Sequence, residues 1–344
     1  MNELITQIND AIWGYVLIAA LITCGIWFTW KTRGVQFRMV GEMIRLLTDS
    51  ATSGTGSLSD KDKNHKHISS FQAFAVSVAT RVGTGNLAGV ATAIAIGGPG
   101  AVFWMWVIAL IGSATAFIES TLGQLYKQRH KDSFIGGPAY YIEKGLHCKW
   151  MAYLFAVLIT ITFGLSYNSI QSNTICGAMQ EAFGWNPLIV GGILSVVALI
   201  IIFGGLHRIA NVSLNSEIGA IGPTFIAIAI LLFAFSSIIG NYYYGEANIR
   251  FMTSSNTVLT VYRLFSGGVL VMFGAMASLE IVWNLGDLCM ALLTACNLVA
   301  IISLGKYAFR LLEDYRQQKR RGIKEPVFHR GQLPEIEKDL MCWE

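Results

Sequence analysis

Runs of about 20 apolar residues recur along this chain, and they restrict its folding options more than any other feature. A helix of that length is what crosses a hydrocarbon layer roughly 30 Å thick. Eight such runs are expected to span, at 11–30, 69–96, 100–122, 151–178, 187–205, 219–240, 260–283 and 285–305. Lipid offers no partner to backbone N–H and C=O groups, so only helices or closed barrels cross it. Runs this long and this evenly apolar select helices. Of the 344 residues, 53% are hydrophobic and 13% charged, where a soluble chain carries roughly 25% charged residues. The expected fold class is therefore all-α, a polytopic membrane protein with the lipid bilayer as its surroundings. A net charge of +4, dispersed along the chain, gives no footing for nucleic acid. Six cysteines at 24, 148, 176, 289, 296 and 342 form no C-x-x-C pair and suggest neither zinc nor a disulfide frame.

Basic residues set an orientation. The first ten positions carry none, 31–68 carry seven, 127–149 carry five, and the segment from Lys306 onward carries nine. The positive-inside rule puts those three segments in the cytoplasm and the N-terminus outside. Met1–Asp10 lacks a basic n-region, so the first run is expected to be a span and not a removable signal. Eight crossings from an outside start return the chain to the outside, which contradicts a basic cytoplasmic tail. The first four spans obey the rule, so an odd number of crossings is expected to be lost after them, or a late run does not cross. Val35–Leu47 reads as an amphipathic interfacial stretch, and Trp27, Trp30, Trp104, Trp106 and Trp150 fall at or near span ends, where aromatic belts form.

The chemistry is concentrated in Ala79–Gly89, ATRVGTGNLAG, inside the second apolar run. Three glycines in seven residues, with Arg81 and Asn86, suit a broken helix better than a lipid-facing one. Unwound backbone at membrane depth survives only beside a cavity or within protein. Its freed carbonyls can hold a hard cation, and the N-terminus of the next half-helix can hold a carboxylate. Close packing through small residues is the competing explanation of the glycines. The string Gly83–Ala88 also fits a dinucleotide fingerprint, but that motif needs a βαβ unit, and membrane-length runs flank it instead. Glu119 and Glu280 lie at or near span ends and are expected to reach the interface.

The same segment, followed by GGPGAVFWMW at Gly97–Trp106, resembles the alanine or glycine:cation (sodium:alanine) symporters of bacteria. The likeness extends through Gly136–Tyr140, Gly205–Ala210 and Phe233–Asn241 into the basic tail. It implies an inverted-repeat, leucine-transporter-like fold of about eleven spans in a bacterial plasma (inner) membrane. It also implies symport of a small neutral amino acid, alanine or glycine, with Na⁺ as the co-transported ion and no resident cofactor. By that resemblance Thr84, Gly85, Asn86 and Gln171 contact the substrate. The carbonyls of Ala79 and Val82 and the hydroxyls of Ser236 and Ser237 form a sodium site. Such oxygens are hard ligands suited to a hard cation. Helix packing with back-bonding for Ser236–Ser237, and an interhelical hydrogen bond for Gln171, remain open as alternatives.

One departure stands out. After about Ser213 the family's pattern continues through the end of the first repeat and a second broken helix, whereas here Leu214–Gly219 leads into a much later helix. About three crossings are absent, an odd number, in keeping with the charge distribution. Four regions are expected: 1–68 an extra helix and cytoplasmic loop, 69–213 first-repeat helices, 214–305 late second-repeat helices, and 306–344 a basic tail. A chain lacking one of two paired broken helices is expected to be transport-deficient. A non-transporting remnant that binds ligand or partner is the alternative. A membrane-embedded enzyme is a lesser one, since no nucleophile–base constellation or metal-ligand cluster is evident.

Overall fold

The structure, a computed structural model, describes residues 12–52, 74, 77–78, 81–83, 86, 89–130, 133–203, 223–276, 279–323 and 325–343. Eleven helices of four residues or more are described. They are α1 (Ile12–Lys31), α2 (Val35–Arg38), α3 (Val40–Thr52), α4 (Val90–Gly97), α5 (Gly100–Leu125), α6 (Pro138–Gly145), α7 (Lys149–Phe183), α8 (Pro187–Ile202), α9 (Pro223–Met252), α10 (Asn256–Met276) and α11 (Leu279–Arg320). Among the described residues, α1, α5, α7, α10 and α11 are long and apolar enough to cross a membrane, and α8 is a shorter apolar helix. The protein is all-α and polytopic, with one small exception. The basic loop after α5 holds a two-stranded hairpin, β1 (Gln128–His130) against β2 (Ser133–Ile135), before α6. No long run of alternating residues announced it.

Helix ends follow local chemistry. The Asn186 side chain accepts from the Leu188 N–H at 2.9 Å with Pro187 in the first turn, which caps α8. Gly184, left-handed at φ 69°, ends α7 as a C-terminal glycine does. Inside α7 and α10 the helix widens to π-type turns at Thr162–Tyr167 and Phe265–Val269. The two turns face each other: Asn168 Nδ2 donates to Ser266 Oγ, and Ser266 Oγ donates to the Gly164 carbonyl, both at 3.0 Å. Side chains thereby satisfy backbone oxygen that the widened turn releases, as a lipid-embedded helix requires. Glycines let backbones approach elsewhere, as at Gly274, where a Cβ would run into the Ser169 carbonyl.

Helix directions follow from cross-contacts. Trp13 at the start of α1 donates to the Asp287 carbonyl near the start of α11 (3.2 Å), while Arg316 near the end of α11 donates to the Thr32 carbonyl just past α1 (2.8 Å). Those two spans therefore run parallel. A strict eight-fold alternation of crossings would make the first and last antiparallel. The reversal lies between α8 and α9. Gly191 of α8 abuts Ala275 while Gly267 abuts Ile202, so α8 runs antiparallel to α10. Asn168 and Ser172 of α7 bond Ser266 and Val271 in register, so α10 runs parallel to α7. Phe163 packs on Tyr244 (5.2 Å between rings), and Gln171 and Ser237 flank one glycine, so α9 runs antiparallel to α7. Among the described helices, α8 and α9 follow one another in sequence and point the same way.

The three basic segments gather at one end of the bundle. Besides Arg316 on Thr32, Trp343 Nε1 donates to the Leu125 carbonyl at 3.0 Å, and Lys127 sits 4.3 Å over the Trp343 ring. Leu333, Ile336 and Leu340 of the tail are buried in the core. The tail is therefore a docked element, and α11 stays helical to Arg320, past the apolar run that ends at 305. Trp30, Trp104, Trp106 and Trp150 are exposed as belt residues should be, but Trp27 packs edge-on against Phe309 inside.

Glu42 of α3 anchors that end. Hydrogen bonds from Arg45, Tyr315 and Lys319 hold its carboxyl well below the usual carboxylate range. A depressed folded value makes this contact's stabilisation complete above the ordinary value of 4.5 and lost only as pH falls through the lower, folded value. The gap in thermal midpoint between the parent chain and Glu42→Gln should be constant from pH 8 to 5 and close only below about pH 4. A gap that closes between pH 7 and 5 would contradict this assignment.

Candidate functional site

The second apolar run breaks where its glycines cluster. The Val82 N–H still donates to the Val78 carbonyl at 2.8 Å, the last helical bond before the break. Then Asn86 closes a tight turn: its N–H donates to the Gly83 carbonyl at 3.1 Å, and its Oδ1 accepts from the Gly83 N–H at 3.0 Å. Regular helix is re-established over Val90–Gly97. One side chain thus binds the amide that the missing helical turn leaves unpaired.

Two long helices close on this turn. A Cβ on Gly83 would lie 2.8 Å from Gln171 Nε2 of α7 and 2.8 Å from Ser237 Oγ of α9. Only a glycine admits both polar groups to the backbone here. Ser237 Oγ donates to the Val82 carbonyl at 3.1 Å, and Ser236, Ser237 and Gln171 are all buried. Two oxygens 3.1 Å apart can both reach one hard cation at roughly 2.3–2.6 Å. Val82, Asn86, Gln171 and Ser237, four of the residues expected from sequence, therefore meet at one point. Ser236 is buried on the same turn of α9. Ala79, Thr84 and Gly85 lie outside the described residues.

A cavity of about 710 Å³ opens beside the turn, within the range of small-molecule sites. Arg81, Gly83, Asn86 and Gln171 line it on one side; Asn241, Glu119 and Asn297 line it on others. Glu119 faces this cavity and bonds Asn297, whose Oδ1 accepts from the Tyr141 hydroxyl. The expectation that Glu119 reaches the interface is corrected accordingly: Asn297 of α11 and Tyr141 of α6 turn it inward. Sequence reasoning also passed over Asn241, although it stands four residues after Ser237 and so shares its helix face. For Asn297 an amide amid an apolar run was the available signal.

The turn's closure is testable without any ligand. Asn86→Ala removes the acceptor for the Gly83 N–H, a bond worth about 1 kcal/mol. Hydrogen exchange of peptides spanning 82–86 should speed up about fivefold, with α5 and α11 unchanged. Unaltered exchange would mean that Asn86 does not hold the break.

Comparison with known proteins fits this geometry. The sodium:alanine symporter family profile matches residues 1–215 and, separately, 211–330. A "Probable sodium/glutamine symporter GlnT" of Bacillus subtilis is 36% identical over 473 aligned positions, covering 100% of this chain and 96% of that protein. The "Amino-acid carrier protein AlsT" of the same organism is 34% identical over 469, covering 100% and 98%. A "Sodium/alanine symporter AgcS" of Methanococcus maripaludis is 31% identical over 288, covering 82% and 58%. With 344 residues here against 473 aligned positions, at least 129 positions (473 − 344) of the first relative have no counterpart. The two profile matches meet at 211–215, where the sequence departs from the family pattern. That block has room for three spans of about 20 residues with their loops. With the profile covering nearly all of its length in two pieces, the chain belongs to the sodium:alanine symporter family.

Proposed function

We propose that this chain is a shortened sodium-coupled symporter for a small neutral amino acid, alanine or glycine, in a bacterial plasma membrane. The observation that carries the reading is the meeting of the Val82 carbonyl and the Ser237 hydroxyl, 3.1 Å apart, beside Gly83 and Gln171. In this reading Na⁺ replaces the Ser237–Val82 hydrogen bond. It takes oxygen from Val82, Ser237 and Ser236, with the Ala79 carbonyl completing the set. The cation then fixes the broken helix to α9. Thr84 and Gly85 would contact the substrate carboxylate through backbone N–H groups, while Asn86 braces the break and the Gln171 amide contacts the substrate. Binding energy of one ligand thus orders the site for the other, which is the basis of coupling. The basic end of the bundle faces the cytoplasm and the first residues face outside.

Paired broken helices enclose the substrate in a repeat-built carrier, and the block that would supply the second is the one absent after Ser213. This chain accordingly keeps the cation side of the site and lacks part of the substrate side and of the element that rocks against it. Ligand binding without accumulation is the outcome that favours a remnant; an enzymatic role has no observation in its favour.

Uptake of labelled alanine and glycine into liposomes, driven by a Na⁺ gradient, tests both halves of the proposal. This chain should accumulate neither, while a version with the central block restored from a full-length relative should do so and lose it on Ser237→Ala. Gradient-dependent accumulation by the short chain would refute its transport deficiency. An inactive restored version, shown to be folded, would refute the symport reading.

A further inference from the structure

We propose that the arginines gathered where α1, α2 and the far end of α11 meet form a site for the phosphate headgroup of an anionic phospholipid, with its acyl chains along the exposed apolar face of α2 and α3. Arg316 is tied to the Thr32 carbonyl at 2.8 Å, beside Arg33, and Arg320 stands one turn on along α11; Arg38 is also within electrostatic reach, as is Glu313. Among the described residues Arg33, Arg38 and Arg320 enter no ion pair. The nearby acid that would neutralise them, Glu42, is engaged by Arg45 at 2.6 Å and Lys319 at 2.9 Å, and also accepts from Tyr315. Four guanidiniums therefore share one corner with little compensating charge, an arrangement that repels itself. A phosphate would convert that repulsion into charge-assisted, bidentate hydrogen bonds. The turn itself presents the charge: Arg33 is held left-handed at φ 55° between Thr32 and Gly34, a conformation uncommon for a side-chain-bearing residue.

The adjoining surface distinguishes a lipid from a free anion. Phe37 of α2 and Val40 and Ile44 of α3 are exposed at 60%, 44% and 57% of their surface, the last two one turn apart on the same helix face. Trp30, near the end of α1, is 72% exposed, as an aromatic side chain at headgroup level is. Inorganic phosphate has no use for that face, whereas acyl chains cover it. A juxtamembrane basic cluster beside an amphipathic helix is the arrangement that retains acidic lipid. This inference does not depend on the symport reading.

Native mass spectrometry of the whole detergent-purified chain, titrated with phosphatidylglycerol or phosphatidylcholine, tests it. Phosphatidylglycerol adducts should dominate, and the preference should fall about fivefold for each arginine removed in Arg33→Gln and in Arg33→Gln/Arg38→Gln. Both side chains are exposed and unbonded, so these variants should keep the parent's elution profile on size exclusion. Arg129→Gln, on the β-hairpin, should leave the preference unchanged. Equal retention of the two lipids would overturn the proposal, as would an undiminished preference in the folded double variant. Displacement of phosphatidylglycerol by millimolar inorganic phosphate would overturn the lipid assignment in favour of a free-anion site.

Discussion

Hydrocarbon supplies no hydrogen bonds, so a helix that unwinds at membrane depth must find every partner inside the protein. At Gly83 that demand is met from three directions. Asn86 binds the released amide, Ser237 donates to the Val82 carbonyl, and the Gln171 amide comes within 2.8 Å of where a Cβ would stand. The long helices α7 and α9 are positioned by this requirement as much as by apolar packing. The facing π-type turns of α7 and α10 obey the same constraint, with Ser266 serving the Gly164 carbonyl. What makes the break tolerable also makes it useful, because oxygens that satisfy one another can exchange that partner for a cation.

The direction of the helices bears on the integrity of the chain. Parallel α8 and α9 require the connection between them to return from one side of the membrane to the other. An odd number of absent crossings would account both for the parallel helices and for the basic tail on the same end as 31–52, and the two profile matches meet at 211–215. The early and late helices also pack on each other. Tyr262 still fills the space left by Gly164 and Gly245, and Glu246 still pairs with Arg250 and Arg263 at 2.6 and 3.1 Å.

Much of this was legible in the residues. Apolar run length anticipated α1, α5, α7, α10 and α11, the glycine cluster anticipated the turn at Gly83, and charge distribution flagged that eight alternating crossings and a basic cytoplasmic tail do not agree. The parts that stayed hidden share a cause: they depend on contacts between segments remote in sequence. Nothing in Lys127–Lys149 signals that Trp343 will reach back to the Leu125 carbonyl. Nothing beside Glu119 signals that Asn297 will draw it inward. The π-type turns arise because α7 and α10 meet there, and propensity does not encode a meeting. Oxygen spacing at Ser237 was accessible from sequence only through resemblance to a family, since a serine pair in an apolar helix back-bonds as readily as it ligates.

The relative direction of α8 and α9 is the claim on which the rest stands, and sidedness measures it directly. Trp185→Cys, just before α8, and Ser254→Cys, just after α9, would each be labelled with a membrane-impermeant maleimide in oriented vesicles. Labelling would be read against the parent chain and its six native cysteines. The account predicts that position 254 reacts from the side of the basic segments and position 185 from the opposite side. Reaction of both from one side, as plain alternation of spans requires, would contradict it.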